Sequence, residues 1–344
     1  MDVVLTQRQQ EILRLVVEEH VSTGQPVGSK ALVRHAALKV SSSTVRNELA
    51  ELEHSGLLTH PHTSAGRVPT KHGYRFYADT LLEELEPRPP SFPLDLTAVR
   101  NEVEAALQAT TEMLSQVTQL LALVSAPSLA STTVRRVEVL LLQPSVVMVV
   151  VITSTGGVTK RVFAFDAPVD PGLAEWAGEY LNEEIAGVQI GSHLLRRKLD
   201  DRSLPRPERA FLDVLRPMFN ELVSGDEQQL YVGGAAGLLA DARAEDIATY
   251  QALLEVLEQR AALLDLVAET LDPRRPFVRV GDELDHPALT ELALVGACYG
   301  ITNRTLGSVS IVGPLRMDYG KAIRSVRSAA LELSRFVEEV YGEP

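Results

Sequence analysis

Ser43, Arg46 and Asn47 fall at positions i, i+3 and i+4 of a segment with helical periodicity, so they share one face. Those side-chain types can read a base edge. Arginine donates two hydrogen bonds to guanine O6 and N7, asparagine pairs both ways with adenine, and serine reaches a base edge or a phosphate. Val45, Leu49 and Leu52 form the inward stripe of the same segment and turn the polar trio outward. Ser42 and Thr44 extend the hydroxyl-rich start and belong to the same contact set. Upstream, Gly28-Ser29-Lys30 opens a second helix with free backbone N–H groups and a cation, an arrangement suited to a phosphate at Ser29 and Lys30. Downstream, His62, Thr63, Ser64 and Gly66 offer small or polar contacts, and Arg67 is a cation of the kind that enters a narrow minor groove. Taken alone, Arg46 and Asn47 read more readily as a solvated helix face.

The elements that would position these residues are legible. Thr6-Gln7-Arg8-Gln9 fits a capping box, and Ile12, Leu15 and Val16 continue at helical spacing, predicting a helix from about Gln7 to His20. Gly24-Gln25-Pro26 stops it. Ser29 caps a short second helix through His35, and Ser41-Ser42-Ser43 caps a third that ends at Gly56. Extended stretches Leu57 to His60 and Arg67 to Thr70 flank a loop of turn-forming composition. Three helices followed by a hairpin make a winged helix-turn-helix, predicted over residues 1–86, with the hairpin loop as its wing. The agreement of helix order, wing and local charge favours nucleic acid over a merely solvated face.

Charge supports this reading once it is counted by segment. The chain of 344 residues has a formal charge of −13. Residues 1–79 hold nine Lys or Arg against eight Asp or Glu, and residues 29–77 hold seven basic against three acidic side chains. The acid therefore lies downstream. A hydrophobic share of 45% supports two or three cores. One cysteine, Cys298, forms no internal disulfide, and its apolar strand setting predicts a buried, inert thiol. The longest apolar run, Val146 to Ile152, is far short of the ~20 residues of a spanning helix. With no signal-peptide pattern after Met1, these features predict a soluble cytoplasmic protein without membrane contact.

Four prolines in residues 87–93 mark a boundary, placed as a linker at 87–94. Beyond it, a helical stretch from Asp95 to about Val124 leads into extended runs Arg136 to Leu142, Val146 to Thr153 and Val158 to Phe165. Further runs are Gln229 to Val232, Phe277 to Val280, Glu291 to Ile301 and Gly307 to Val312. This is an α+β pattern, divided between residues 95–166 and 228–344. The polar, helical stretch 167–227, interrupted by Pro205 and Pro207, reads as an inserted helical subdomain. A last helix carries apolar positions from Tyr319 through Ile323, Val326, Ala330, Leu333 and Val337 to Val340, suited to packing within the domain.

Other candidate chemistry is weaker. His54, His60, His62 and His72 suggest a metal cluster, but phosphate contact or loop structure explains them better, and no metal is expected. Gly156-Gly157 and Gly233-Gly234 complete no nucleotide-binding fingerprint and are read as tight turns. No cofactor is expected. Asp318 can cap the last helix and Arg316 can pair locally. Arg196, Arg197 and Lys198, with Arg202, Arg206 and Arg209, could touch DNA, but interspersed acids favour a solvated face or an interface rim. Hydrolase and metalloprotease motifs are missing, so no enzyme is predicted.

Longer strings carry a family resemblance. Val40-Ser-Ser-Ser-Thr-Val-Arg-Asn-Glu-Leu-Ala-Glu-Leu-Glu53, His60-Pro-His-Thr-Ser-Ala-Gly-Arg-Val-Pro-Thr70 and Gly73-Tyr-Arg-Phe-Tyr77 resemble the HrcA family of heat-inducible transcription repressors. So do Tyr231-Val-Gly-Gly234 and Gly307-Ser-Val-Ser-Ile-Val-Gly-Pro-Leu-Arg-Met-Asp-Tyr319, and the resemblance covers nearly the whole chain. It implies a winged helix, a GAF-like sensing domain and an inserted dimerising domain. It further implies a homodimer that binds an inverted-repeat operator called CIRCE upstream of chaperone genes, with the GroE chaperonin promoting the DNA-binding form. The alternative is a winged-helix regulator whose GAF-like domain senses a small metabolite.

Overall fold

The computed structural model of the chain describes residues 4–34, 40–61, 66–96, 102–127, 132–154, 156–190, 192–200, 203–224, 230–234, 275–301 and 304–341. The helices, in chain order, are α1 (Gln7–Thr23), α2 (Ser29–Leu32), α3 (Ser42–His54), α4 (Lys71–Glu83), α5 (Val103–Thr118), α6 (Pro171–Ile185), α7 (His193–Leu199), α8 (Arg206–Ser224) and α9 (Tyr319–Tyr341). The strands are β1 (Leu58–Thr59), β2 (Val68–Pro69), β3 (Leu121–Ser125), β4 (Val134–Gln143), β5 (Val146–Thr153), β6 (Val158–Ala164), β7 (Leu230–Gly233), β8 (Phe277–Val280), β9 (Leu292–Ile301) and β10 (Arg304–Pro314). Two compact units result, one of residues 1–125 with 230–337, the other of residues 126–229 with 338–344.

The first unit begins with the expected helices. Thr6 and Gln9 close the capping box in both directions, at 3.3 and 3.0 Å, so two N–H groups at the start of α1 are satisfied before any packing occurs. Ile12, Val16, Leu32, Val45, Leu49 and Leu52 then bury together with Leu57 and Leu58. The second helix stops at Leu32 instead of His35, because its end tightens into a turn in which Arg34 N–H donates to Ala31 O. His35 lies outside the described residues, as does most of the turn that follows. Strands β1 and β2 pair antiparallel, Leu58 with Pro69 and Thr59 with Val68, and Thr70 caps α4 directly after them.

The same unit holds a five-stranded antiparallel sheet in the order β7-β3-β10-β9-β8. One sequence expectation fails here: the helix predicted to run to Val124 ends at Thr118. Gln119 takes a left-handed conformation, φ 59, and Leu121–Ser125 becomes a strand between β7 and β10. All five residues of β3 are buried, so this apolar run has neither strand nor helix periodicity to betray it. α5 begins at Val103, and residues 97–101 of the stretch before it lie outside the described residues. α9 begins where Asp318 Oδ1 accepts from Lys321 N–H at 2.8 Å, and it buries Tyr319, Ile323, Val326, Ala330, Leu333 and Val337 as the periodicity predicts.

The second unit corrects the boundary placed at residue 167. Strands β4, β5 and β6 form their own antiparallel sheet and belong with α6, α7 and α8, not with the five-stranded sheet. Alternation is the reason: Val137, Val147, Val149, Val151 and Phe163 line one face, which is covered by Ala177, Leu181, Leu215 and Phe219. The unit is therefore sheet and helix, not purely helical. Asn182 of α6 closes the free edge of β4, its amide accepting from Val137 N–H at 2.9 Å and donating to Val137 O at 2.6 Å. Pro207 does not interrupt a helix; it sits in the first turn of α8, where a missing N–H is harmless.

Gly73 tests the packing of the first unit. A Cβ there would lie 2.2 Å from the Leu57 carbonyl oxygen, a backbone atom that cannot step aside. Gly73→Ala should lower the denaturant midpoint of unfolding by an amount equivalent to roughly 1–3 kcal/mol, the usual penalty of overpacking.

Candidate nucleic-acid interface

α3 is held by its buried stripe, and that determines what it shows to solvent. Val45 and Leu52 are fully buried and Leu49 nearly so, while Ser43, Arg46 and Asn47 are exposed together on the opposite face. Among the described residues, Arg46 and Asn47 make no side-chain hydrogen bond or ion pair. Their donors are available to a ligand. The helix start is a small hydroxyl network: Ser41 Oγ accepts from Thr44 N–H at 3.2 Å and lies 2.7 Å from Ser43 Oγ and 2.9 Å from Thr44 Oγ1. Ser42 is half-buried, and its hydroxyl is 3.3 Å from Ser29 Oγ, joining α2 to α3. Ser42 and Thr44 thus help to seat the helix, whereas Ser43 is the outward hydroxyl. Lys30 is exposed beside them.

The hairpin is anchored at its base. Val27, in the turn between α1 and α2, exchanges both backbone hydrogen bonds with Arg67 at 2.8 Å, adding a third short strand segment to β1 and β2. Gly66 permits that contact, since a Cβ there would stand 2.5 Å from the Val27 carbonyl carbon. His62, Thr63 and Ser64 lie outside the described residues.

Arg67 does not extend as a free cation. Its guanidinium meets Glu53 of α3 at 2.7 Å, and the same carboxylate accepts a hydrogen bond from His60 Nδ1. Glu53 thereby ties the last turn of α3 to both sides of the hairpin. Partial burial raises the Glu53 carboxyl, but the His60 hydrogen bond and the Arg67 charge outweigh it and hold the group below its ordinary value. Sequence reasoning treated Glu53 only as a charge; its position seven residues before His60 was the available signal.

A family model described as the HrcA protein C-terminal domain matches residues 104–323. A protein of Acidothermus cellulolyticus named heat-inducible transcription repressor HrcA is 35% identical over 98% of this chain and 100% of its own length. One of Streptomyces avermitilis with the same name is also 35% identical, over 99% of this chain and 100% of its own. The chain belongs to the HrcA family. A crystal structure described as a hypothetical protein at 2.2 Å resolution shares the fold of this chain, with a TM-score of 0.63 and 23% identity over 98% of this chain and 100% of that one.

Other candidates resolve into packing. Lys198 pairs with Glu184 at 3.1 Å, and Arg209 donates to Leu204 O at 2.7 Å, so these members of the basic cluster are engaged by nearby groups. Arg202 lies outside the described residues. No group of three or more His, Cys, Asp or Glu among the described residues could hold a metal ion. Among the same residues, no helix is long and apolar enough to cross a membrane. Cys298 is half-buried on β9, less enclosed than its apolar neighbours suggested, and lines a cavity together with Leu331 and Ser334 of α9.

The Glu53 anchor has a pH signature. A carboxyl depressed in the folded state contributes stability above its unfolded pKa and loses it as pH falls through the folded value. The N-terminal helices should therefore unfold at lower temperature as pH drops below the ordinary carboxylate range. In Glu53→Gln that part of the acid sensitivity should vanish, as thermal unfolding followed between pH 3 and 7 would show.

Proposed function

We propose that this protein is a transcriptional repressor that reads an inverted-repeat operator as a homodimer. The observation that carries the reading is α3, which presents Ser43, Arg46 and Asn47 outward with no competing partner among the described residues. Helices α1 to α3 with the β1–β2 hairpin are read as a winged helix, α3 being the helix that enters the major groove. Membership of a family whose relatives bear the name heat-inducible transcription repressor supports the same role. Lys30 and Ser29 are assigned to phosphates, and His62, Thr63, Ser64 and Gly66 to the wing contact. Arg67 is assigned to the base of the wing, held by Glu53, where it positions the loop for the neighbouring minor groove.

The first unit's sheet with α5 and α9 is read as the GAF-like domain, and the second unit as the dimerising insertion. The face of β4, β5 and β6 that no described residue covers supports the latter. Leu140, Met148 and Val162 face one another across it, as do Arg136, Ile152 and Val158, and Leu140, Leu142, Val158 and Val162 are exposed. An apolar sheet face of this extent calls for a cover. A second copy related by a two-fold axis along β5 would lay β4 over β6 and bring Glu138 toward Lys160, the charged pair that flanks Val150. Two such subunits match a two-fold DNA site, each reading one half.

The operator is assigned as a CIRCE-type repeat controlling chaperone genes, with the GroE chaperonin promoting the binding form. On this reading the protein has no catalytic role and acts in the cytoplasm. Arg46→Ala and Asn47→Ala should each relax base discrimination by about 1–3 kcal/mol in competition binding at fixed salt. Retained operator preference in both would remove the assignment of α3. Met148→Glu should shift sedimentation from dimer to monomer, and an unchanged dimer would move the interface off this face.

A further inference from the structure

The proline-rich stretch after α4 would let the N-terminal helices swing on a tether if nothing else held them. The structure holds them at three places. In the centre, Tyr74 of α4 stacks on Tyr319 at the start of α9, with ring centroids 5.9 Å apart, and Tyr77 meets the same ring edge-on at 6.3 Å. Tyr319 is fully buried, and the Tyr74 hydroxyl lies 2.8 Å from His20 Nδ1 of α1. The contact therefore runs from α1 through α4 into α9.

On one flank, two cations of α4 engage the edge of the five-stranded sheet. Arg75 donates to the Val278 carbonyl on edge strand β8 and pairs with Glu283 at 3.4 Å and with Asp79 at 3.0 Å. Glu283 in turn accepts from Val280 N–H at 2.8 Å. Lys71 reaches Asp282 and Glu291, both at 3.2 Å, and passes so close to Gly281 that a Cβ there would lie 2.8 Å from Lys71 Cδ. On the other flank, Arg327 of α9 donates to the carbonyls of Glu86 and Pro87, strapping down the start of the linker.

We infer that Lys71, Arg75 and Arg327, set around the Tyr74–Tyr319 stack, are positioning residues for operator recognition: they fix the orientation of α3 on the sheet domain and so set which half-site spacing the protein accepts. This rests on the operator-binding reading above. The physical reason is that a bivalent reader gains affinity from its second half-site only when the two modules are held at the matching separation. A loose joint spreads that gain over many separations. Arg75 serves the joint in two ways, because it also satisfies an outward carbonyl of a sheet edge.

The test uses the full chain and the variants Lys71→Ala/Arg75→Ala and Arg327→Ala, all truncations of charged side chains at partly exposed positions. Binding is measured to a single half-site and to inverted repeats with a series of spacer lengths, at fixed salt. The expected result is unchanged single-half-site affinity with the preference among spacers reduced by about tenfold in the double variant. Hydrogen exchange of the DNA-free proteins is read in parallel, and amides of α4 and β8 should exchange faster in the double variant while those of α3 do not. An intact spacer preference, or half-site affinity that falls in step with it, would overturn the inference, as would unchanged protection of α4 and β8. If the parent protein binds no inverted repeat, the operator reading fails by itself; released protection at α4 and β8 would then still establish the joint, and retained protection would refute it.

Discussion

Burial of one tyrosine ring, Tyr319, is the contact on which the first unit depends. It sits where α9 begins, it is fully enclosed, and its two faces of contact are Tyr74 and Tyr77 from a single helix turn of α4. A large ring of this kind contributes both apolar area and an orientation, since stacked and edge-on neighbours fix each other's angles. Its hydroxyl donates to Leu315 O at 2.9 Å, so the polar end is not stranded by the burial. Burial pushes the Tyr319 phenol well above its ordinary pKa.

Each unit also solves a recurrent problem of sheets, the open edge. β8 has its outward carbonyl taken by Arg75, and β4 in the second unit has its backbone paired by the Asn182 amide. The two devices differ in kind. The arginine is charged, partly exposed and shared with Glu283 of the sheet domain and Asp79 of its own helix, so it answers to salt. The asparagine is neutral and closes both hydrogen bonds of one residue, so it behaves as part of the fold. Surface ion pairs of the first kind contribute little stability individually. Their value lies in direction, because three of them converge on one helix.

Much of the candidate site could be read from spacing alone. The outward trio on α3 follows from the stripe Val45, Leu49 and Leu52, and the capping box at Thr6 and the start of α3 at Ser41 follow from short-range hydrogen bonding that needs no tertiary partner. The two clearest misreadings share a cause. Leu121–Ser125 was assigned to a helix because a fully buried strand has no alternation, and β4 to β6 were assigned to the wrong sheet because a strand's sequence does not name its neighbours. The pairing of Arg67 with Glu53 was not legible, because the two lie fourteen residues apart in sequence and only the folding back of the hairpin brings them within reach.

The sequence by itself therefore determined the local elements, the outward chemistry of α3 and, through its long motif strings, the HrcA family. These are properties of residues within a few turns of one another, or of strings matched as strings. Only the tertiary structure decided that α4 locks onto α9 and β8, that Glu53 gathers the hairpin, and that β4, β5 and β6 stand with α6 to α8 while Leu140, Leu142, Val158 and Val162 stay exposed. Each of those depends on groups far apart in the chain meeting at a few ångströms. Periodicity states that a surface must be buried, but the partner that buries it is chosen by the whole chain at once.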